Sequence, residues 1–318
     1  MESAWLEEAS TWIHDACAQI GREVTGEITQ PHLRPWSTVL RVPARGGDLF
    51  FKASAPALAH EVALTLALAN WYPDLVLPVL ATDIPRGWML MPDGGVRLRL
   101  LSDEDRERRW IDLLPRYAEM QIDAARHRDE LLQTRIPDRR PEHMPAAFES
   151  FFESERILGH GTRYAITSAE LARLGELRPR IVELSEELAS GPITATVQHD
   201  DLHDGNVFVR DANLFVFDWG DASVAHPFFS LRVALHRREP LLGGTVSTSA
   251  LVRARDAYLE PWTNSATRAQ LVEIAVAARL LSIVARILAW GLALKDVPEL
   301  GDRAEGFPLL LRELLETG

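Results

Sequence analysis

Between His199 and Asp221 the chain reads HDDLHDGNVFVRDANLFVFDWGD. This stretch holds six aspartates, Asp200, Asp201, Asp204, Asp211, Asp218 and Asp221, against a single base, Arg210. Carboxylates this dense repel one another unless a cation or a proton is shared among them. Apolar runs at 206–209 and 214–217 flank the turn formers Arg210-Asp211-Ala212-Asn213, a spacing that predicts a β-hairpin. Such a hairpin brings its outer ends, Asn206 and Asp218, together, with Asp201 one loop turn earlier. An amide oxygen and a carboxylate converging on one point suit Mg2+, which takes few protein ligands plus phosphate oxygens. A further carboxylate beside them can accept a proton from an attacking hydroxyl.

The run His199-Asp200-Asp201-Leu202-His203-Asp204-Gly205-Asn206 resembles the H-G-D-L-H-x-x-N catalytic loop of the aminoglycoside phosphotransferases and their relatives, such as the choline kinases. It also fits the wider protein-kinase pattern H-R-D-x-x-x-x-N, and Asp218-Trp219-Gly220 stands where kinases carry D-F-G. The resemblance implies that Asp201 is the catalytic base, that Asn206 and Asp218 hold Mg2+, and that His199 and His203 shape the loop. Asp200 departs from the family's glycine. Kinase chemistry also needs a strand lysine paired to a helical glutamate. Lys52, within Leu49-Phe50-Phe51-Lys52-Ala53, and Glu61 on the next predicted helix fill those places. Lys52 and Lys295 are the only lysines among 34 basic residues. A chain that otherwise writes arginine has kept a compact ammonium here, and phosphate oxygens suit such a point charge. The plainer reading leaves Lys52 on an exposed strand face and Glu61 in solvent.

The stretch from Arg34 through Gly95 resembles the family's small lobe, and by that likeness residues 89–93, with Met91 and Asp93, form the hinge facing the adenine. One departure stands out. No glycine occurs from Ile28 through Arg45. The strand–turn–strand over the phosphates therefore lacks the residue that lets a backbone approach them closely. Ser37 and Thr38 are the hydroxyls expected to serve instead.

These groups need a scaffold. Residues 3–21 have helical spacing, with Trp5, Trp12, Ile13, Cys17 and Ile20 on one face. Strand patterns at 37–42 and 48–53 flank Pro43-Ala44-Arg45-Gly46-Gly47, a helix is expected over 57–70, and short strands over 76–81 and 87–91. Pro92-Asp93-Gly94-Gly95 is the strongest break in the first third. Beyond it the pattern turns helical: 103–128, 148–160 and 167–189, with a charged, proline-marked loop at 137–145. The strands of the aspartate-rich stretch follow, and then helices to the end. The expected fold is α+β and bilobal, of the protein-kinase-like kind. Residues 1–92 form the nucleotide lobe, and residues 93–318 the helical lobe that carries the catalytic loop, the metal site and the acceptor pocket.

A net charge of −12 argues against nucleic acid or an anionic membrane as the main partner. One cysteine, Cys17, excludes a disulfide framework. The acidic start lacks the pattern of a signal peptide. The most apolar stretch, 271–294, carries Glu273, Arg279 and Arg286 and reads as a buried helix, so the chain is expected to be soluble and cytoplasmic. The resulting reading is an ATP- or GTP-dependent, Mg2+-dependent O-phosphotransferase acting on a small, cationic hydroxyl compound such as an aminoglycoside or an amino alcohol. Asp221, Asp256, Tyr258, Glu260 and Trp262 are expected to touch that acceptor; the last three lie in the helical region that forms the acceptor pocket in relatives, and Asp256 is nearby. Two rivals stand beside it. One is a kinase-like pseudoenzyme that binds nucleotide or ligand without transfer. The other is an iron enzyme with an H-x-D…H triad of His199, Asp201 and His226 or His236.

Overall fold

The computed structural model describes residues 2–236 and 248–318. The chain divides into two compact units. The first runs to Arg97 and takes in Val207–Gly220, while the second comprises Leu98–Asn206 and Asp221–Gly318. The architecture is α+β, with an antiparallel sheet toward the N-terminus and helices toward the C-terminus.

The first unit opens with helix α1 (Glu2–Gln19), followed by strands β1 (Thr29–Arg34), β2 (Ser37–Val42) and β3 (Leu49–Ser54). Helix α2 (His60–Trp71) comes next, then β4 (Ala81–Asp83) and β5 (Trp88–Pro92), and the sheet order is β1-β2-β3-β5-β4. Strand alternation sorts the side chains onto two faces. Leu40, Phe51, Ala53, Trp88 and Leu90 lie on one face and pack with Ala9, Ile13, Ala16 and Cys17 of α1. Phe51 and Trp88 meet edge to face at 5.4 Å. Lys52, one residue out of phase, points to the other face.

Strand β1 is the leading strand of the expected strand–turn–strand, but its own residues show no strand pattern. It carries Pro31 and is exposed along almost its whole length, the signature of an edge strand without an apolar alternation to read. The strand expected over 76–81 is not formed as such. Pro78 has no N–H to give a ladder, and Val76 makes only a single bridge to Val216, while β4 begins at Ala81. The hairpin expected in the aspartate-rich stretch is present: Val207–Arg210 pairs with Asn213–Val216, and β6 (Val96–Arg97) adds a third strand. Gly94 and Gly95 fit there because a Cβ at either would lie 2.4 Å from Phe208 or 2.3 Å from the Val209 carbonyl.

In the second unit α3 (Asp103–Ala124) starts at Ser102, whose Oγ accepts the Asp105 N–H. The helix expected over 148–160 is broken. It spans Met144–Ser150, and left-handed Gly159 and Gly161 follow in turns. The expected loop at 137–145 contains a short strand, Asp138–Arg139, running parallel to Ser223–Ala225, which also pairs with Thr196–Gln198. The apolar stretch forms the helix Arg268–Ala293, begun by a Thr267–Gln270 capping box. Among the described residues no helix is long and apolar enough to cross a membrane.

His226 is fully buried, and its Nδ1 accepts the Phe228 N–H. Burial pulls its pKa from 6.5 down to about 3. Below pH 6.5 the unfolded chain binds a proton that the folded chain refuses, so stability falls as pH drops toward 3. The His226 contribution should raise the unfolding constant about tenfold per pH unit in that window. Denaturant titrations from pH 7 to 4 should show that steepness reduced in His226→Asn, which keeps an acceptor without the titration.

Candidate active site

In the first unit, the Lys52 Nζ donates to Glu61 Oε1 at 2.5 Å and to Asp218 Oδ1 at 2.6 Å. Lys52 and Glu61 are 5 % and 1 % exposed, whereas the Asp218 side chain is 46 % exposed. Burial disfavours the ammonium, but Asp218 and Glu61 outweigh it and raise the Lys52 pKa above its ordinary value. Glu61 sits in the first turn of α2, and its second oxygen accepts from Ser54 Oγ at 2.6 Å. Asp218 adopts a left-handed φ of 69°, a conformation aspartate tolerates better than most residues. The segment after it is pinned. Trp219 is buried with its Nε1 donating to the Val216 carbonyl, and the His60 ring meets the Gly220 carbonyl at 3.1 Å. A Cβ on Gly220 would press on Glu61 Oε2 at 3.3 Å.

In the second unit the loop from His199 to Asn206 is held by its own backbone. The Asp201 N–H donates to the His199 carbonyl and the Asn206 N–H to the His203 carbonyl, both at 2.8 Å. His203 Nδ1 accepts the Gly205 N–H at 2.9 Å and faces the Arg99 guanidinium at 2.9 Å. The ring proton therefore sits on Nε2, 3.4 Å from Asp201 Oδ2. The Asn206 amide nitrogen donates to the Asp201 carbonyl at 3.0 Å, which leaves the amide oxygen for another partner. Gly205 is where Arg99 passes, since a Cβ there would lie 1.8 Å from the guanidinium.

Asp200 takes φ 60° where the resembled motif has glycine. Its N–H donates to Gln198 Oε1 at 2.7 Å, and its buried carboxylate meets Arg286 NH1 at 3.3 Å. Arg286 also reaches Asp201 Oδ1 at 3.3 Å and Asp221 Oδ2 at 2.8 Å. Burial opposes its charge, but Asp201, Asp221 and Asp200 together raise its pKa. Arg139 is buried nearby and donates to the Asp221 carbonyl at 3.1 Å; desolvation lowers its pKa against the pull of Asp200 and Asp221. Sequence pattern alone does not connect Arg286 to the loop. The available signal is its presence in the most apolar stretch, where a charge must find a partner.

The remaining expected site residues fall in varied places. Ser37 and Met91 lie on the Lys52 face of the sheet, whereas Thr38, paired with Ala53, lies on the opposite face. Asp93 is exposed and accepts the Gly95 N–H. His199 is buried, its N–H donating to the Tyr117 hydroxyl at 3.0 Å. Tyr258 and Trp262 are core residues; the Tyr258 hydroxyl donates to Gln121 Oε1 at 2.7 Å. Asp256 pairs with Arg255 and Arg268, and Glu260 pairs with Arg268. The iron triad finds no support at His226, whose ring is engaged as a buried cap, and the side chain of His236 lies outside the described residues. Among the described residues no three His, Cys, Asp or Glu are grouped to hold a metal ion.

The fold is of the kinase-like kind. Residues 29–248 match the model of the phosphotransferase enzyme family (APH), and the chain belongs to that family. It is accordingly a small-molecule kinase. No curated protein sequence matches it. Among solved structures it is similar to the choline kinase LicA of Streptococcus pneumoniae, at 13 % identity and a TM-score of 0.61 over 98 % of this chain and 100 % of that one. It is also similar to a type I macrolide 2'-phosphotransferase, at 15 % identity and 0.58 over 96 % of each chain. A third likeness is to the aminoglycoside phosphotransferase APH(4)-Ia in complex with ADP and hygromycin B, at 12 % identity and 0.55 over 95 % and 97 %. At these identities the likenesses speak to the fold alone.

Removing the Arg286 charge leaves buried Asp200 without its ion pair, so Arg286→Met should cost about 3–5 kcal/mol of stability. Adding Asp200→Gly, which removes one carboxylate and suits the left-handed backbone, should restore part of that loss. Urea titrations of the two single variants and the double variant check this. Equal stability of Arg286→Met and wild type would remove the ion cluster as a structural element.

Proposed function

We propose that the chain transfers the γ-phosphate of ATP or GTP to a hydroxyl of a small, cationic molecule, with Asp201 accepting the hydroxyl proton. The observation that carries the reading is the buried ammonium of Lys52, held between Glu61 and Asp218. An ammonium shielded from bulk water and fixed by two carboxylates is prepared to meet phosphate oxygens at short range. Asp201 suits its role by position. One of its oxygens faces His203 and Asn206 and the other Arg286, while its side chain stays 17 % exposed. A carboxylate so fixed needs no reorganisation when a hydroxyl arrives.

Asn206 and Asp218 are the hard-oxygen donors we assign to Mg2+. The fit rests on chemistry: the Asn206 amide nitrogen is committed to Asp201, so the group offers its oxygen, and Asp218 is a half-exposed carboxylate. When bound, the metal ion supplies neutralisation of phosphate charge. The complex of APH(4)-Ia with ADP and hygromycin B supports a nucleotide and a small-molecule acceptor as ligands here. The choline kinase likeness and the net charge of −12 support a cationic acceptor, an amino alcohol or a basic antibiotic.

The test is ADP release with Mg·ATP or Mg·GTP over a panel of aminoglycosides, macrolides and amino alcohols. Turnover on an accepted compound should fall by about 10²–10⁴-fold in Asp201→Asn. Nucleotide at a hundred times its dissociation constant should stabilise both proteins by about 2.7 kcal/mol. In Asp218→Asn the nucleotide-dependent rise in melting temperature should shrink. Full turnover in Asp201→Asn would remove it as the base.

A further inference from the structure

By the resemblance to kinases, strands β1 and β2 stand where a glycine-rich loop is expected, and they meet in a tight turn in which Arg34 pairs with Ser37 across Pro35 and Trp36. No glycine is available to bring backbone amides close to a phosphate. The register shows what stands there in their place. His32 pairs with Val39, and Val39 pairs with Lys52, so the three side chains form one row across β1, β2 and β3. Arg34, Ser37 and Ser54 form the next row on the same face, and Ser54 touches the Glu61 that holds Lys52. Arg97 on β6 places its guanidinium over the ring of Phe217, the neighbour of Asp218. On a chain of net charge −12, Arg34 shares a sheet face with Lys52, which is held by Glu61 and Asp218, and Arg97 stands over the residue that precedes Asp218.

We infer that the side chains of His32, Arg34 and Arg97 bind the phosphate groups of the nucleotide beside Lys52, replacing the backbone amides of a glycine-rich loop. The inference rests on the nucleotide-dependent reading above and specifies how this chain meets the triphosphate. Guanidinium groups form charge-assisted, often bidentate hydrogen bonds to phosphate, and a neutral imidazole contributes one N–H. Burial and then the neighbouring Arg34 hold the His32 pKa below its ordinary value, with Asp218 opposing and Lys52 and Arg97 reinforcing the shift. Side chains on an edge strand reach further than a backbone can, which accounts for a phosphate-facing hairpin that closes on proline and tryptophan instead of glycine.

The experiment is calorimetric titration of the full chain with Mg·ATP, Mg·GTP, Mg·ADP and adenosine. Wild type is compared with His32→Ala, Arg34→Ala, the His32→Ala/Arg34→Ala double variant, and Leu33→Ala on the opposite sheet face. His32 is partly exposed and Arg34 and Leu33 are exposed, so folding is retained and is checked by melting temperature. Arg34→Ala should weaken Mg·ATP by on the order of tenfold and the double variant by more. Mg·ADP should weaken less, and adenosine and Leu33→Ala should not change. The dependence of Mg·ATP affinity on salt should also flatten in the double variant. Unchanged Mg·ATP affinity in the double variant, or an equal loss for adenosine, overturns the inference while leaving the donor assignment standing. A wild type that binds neither Mg·ATP nor Mg·GTP overturns both.

Discussion

Carboxylates held within a few ångströms of one another require a cation among them, and the fold answers that requirement with buried side chains. In the first unit Lys52 separates Glu61 from Asp218; in the second Arg286 separates Asp200, Asp201 and Asp221. Each cation is desolvated, which alone would favour its neutral form, and the carboxylates around it reverse that preference. Removing one partner from such a group leaves charge buried without compensation. The surrounding elements follow from this: β3 and α2 are spaced to bring Lys52 and Glu61 together, and the helix Arg268–Ala293 carries an arginine through apolar surroundings to reach the loop.

The backbone bears a cost for these placements. Asp200 and Asp218 both adopt left-handed φ values, a conformation that costs on the order of 1–3 kcal/mol for a residue with a side chain. Aspartate visits this region more readily than most residues, and here its carboxylate is fixed at once by a buried cation. Asp200 illustrates the exchange well. A glycine there would relax the backbone but leave Arg286 with one fewer anion; aspartate strains the turn and gains an ion pair and a hydrogen bond accepted from the Gln198 amide.

The Lys52 face of the sheet follows the same logic of charge. Lys52 and Arg34 stand on one face of the five-stranded sheet, and strand register alone decides which side chains join them. Ser37 falls on that face and Thr38 on the other, though both stand in the same short segment. The period of two in a strand makes such assignments all or nothing.

Local chemistry was legible without any coordinates. The spacing of Asp201, Asn206 and Asp218, the turn at 210–213 and the lone strand lysine beside a helical glutamate sit within short windows, where periodicity and turn chemistry can be read. These carried the fold class and the family. Tertiary packing chose which distant charge answers each local one. Lys52 and Asp218 are 166 positions apart, and Arg286 and Asp200 are 86 apart. Packing also placed Tyr258 and Trp262 in the core, where the family likeness implies an acceptor surface, and formed the edge strand β1 from residues with no alternation. The physical reason is that helical and strand periods depend on neighbours in the chain, whereas the partner of a buried charge is set by segments that meet in space and share no local pattern.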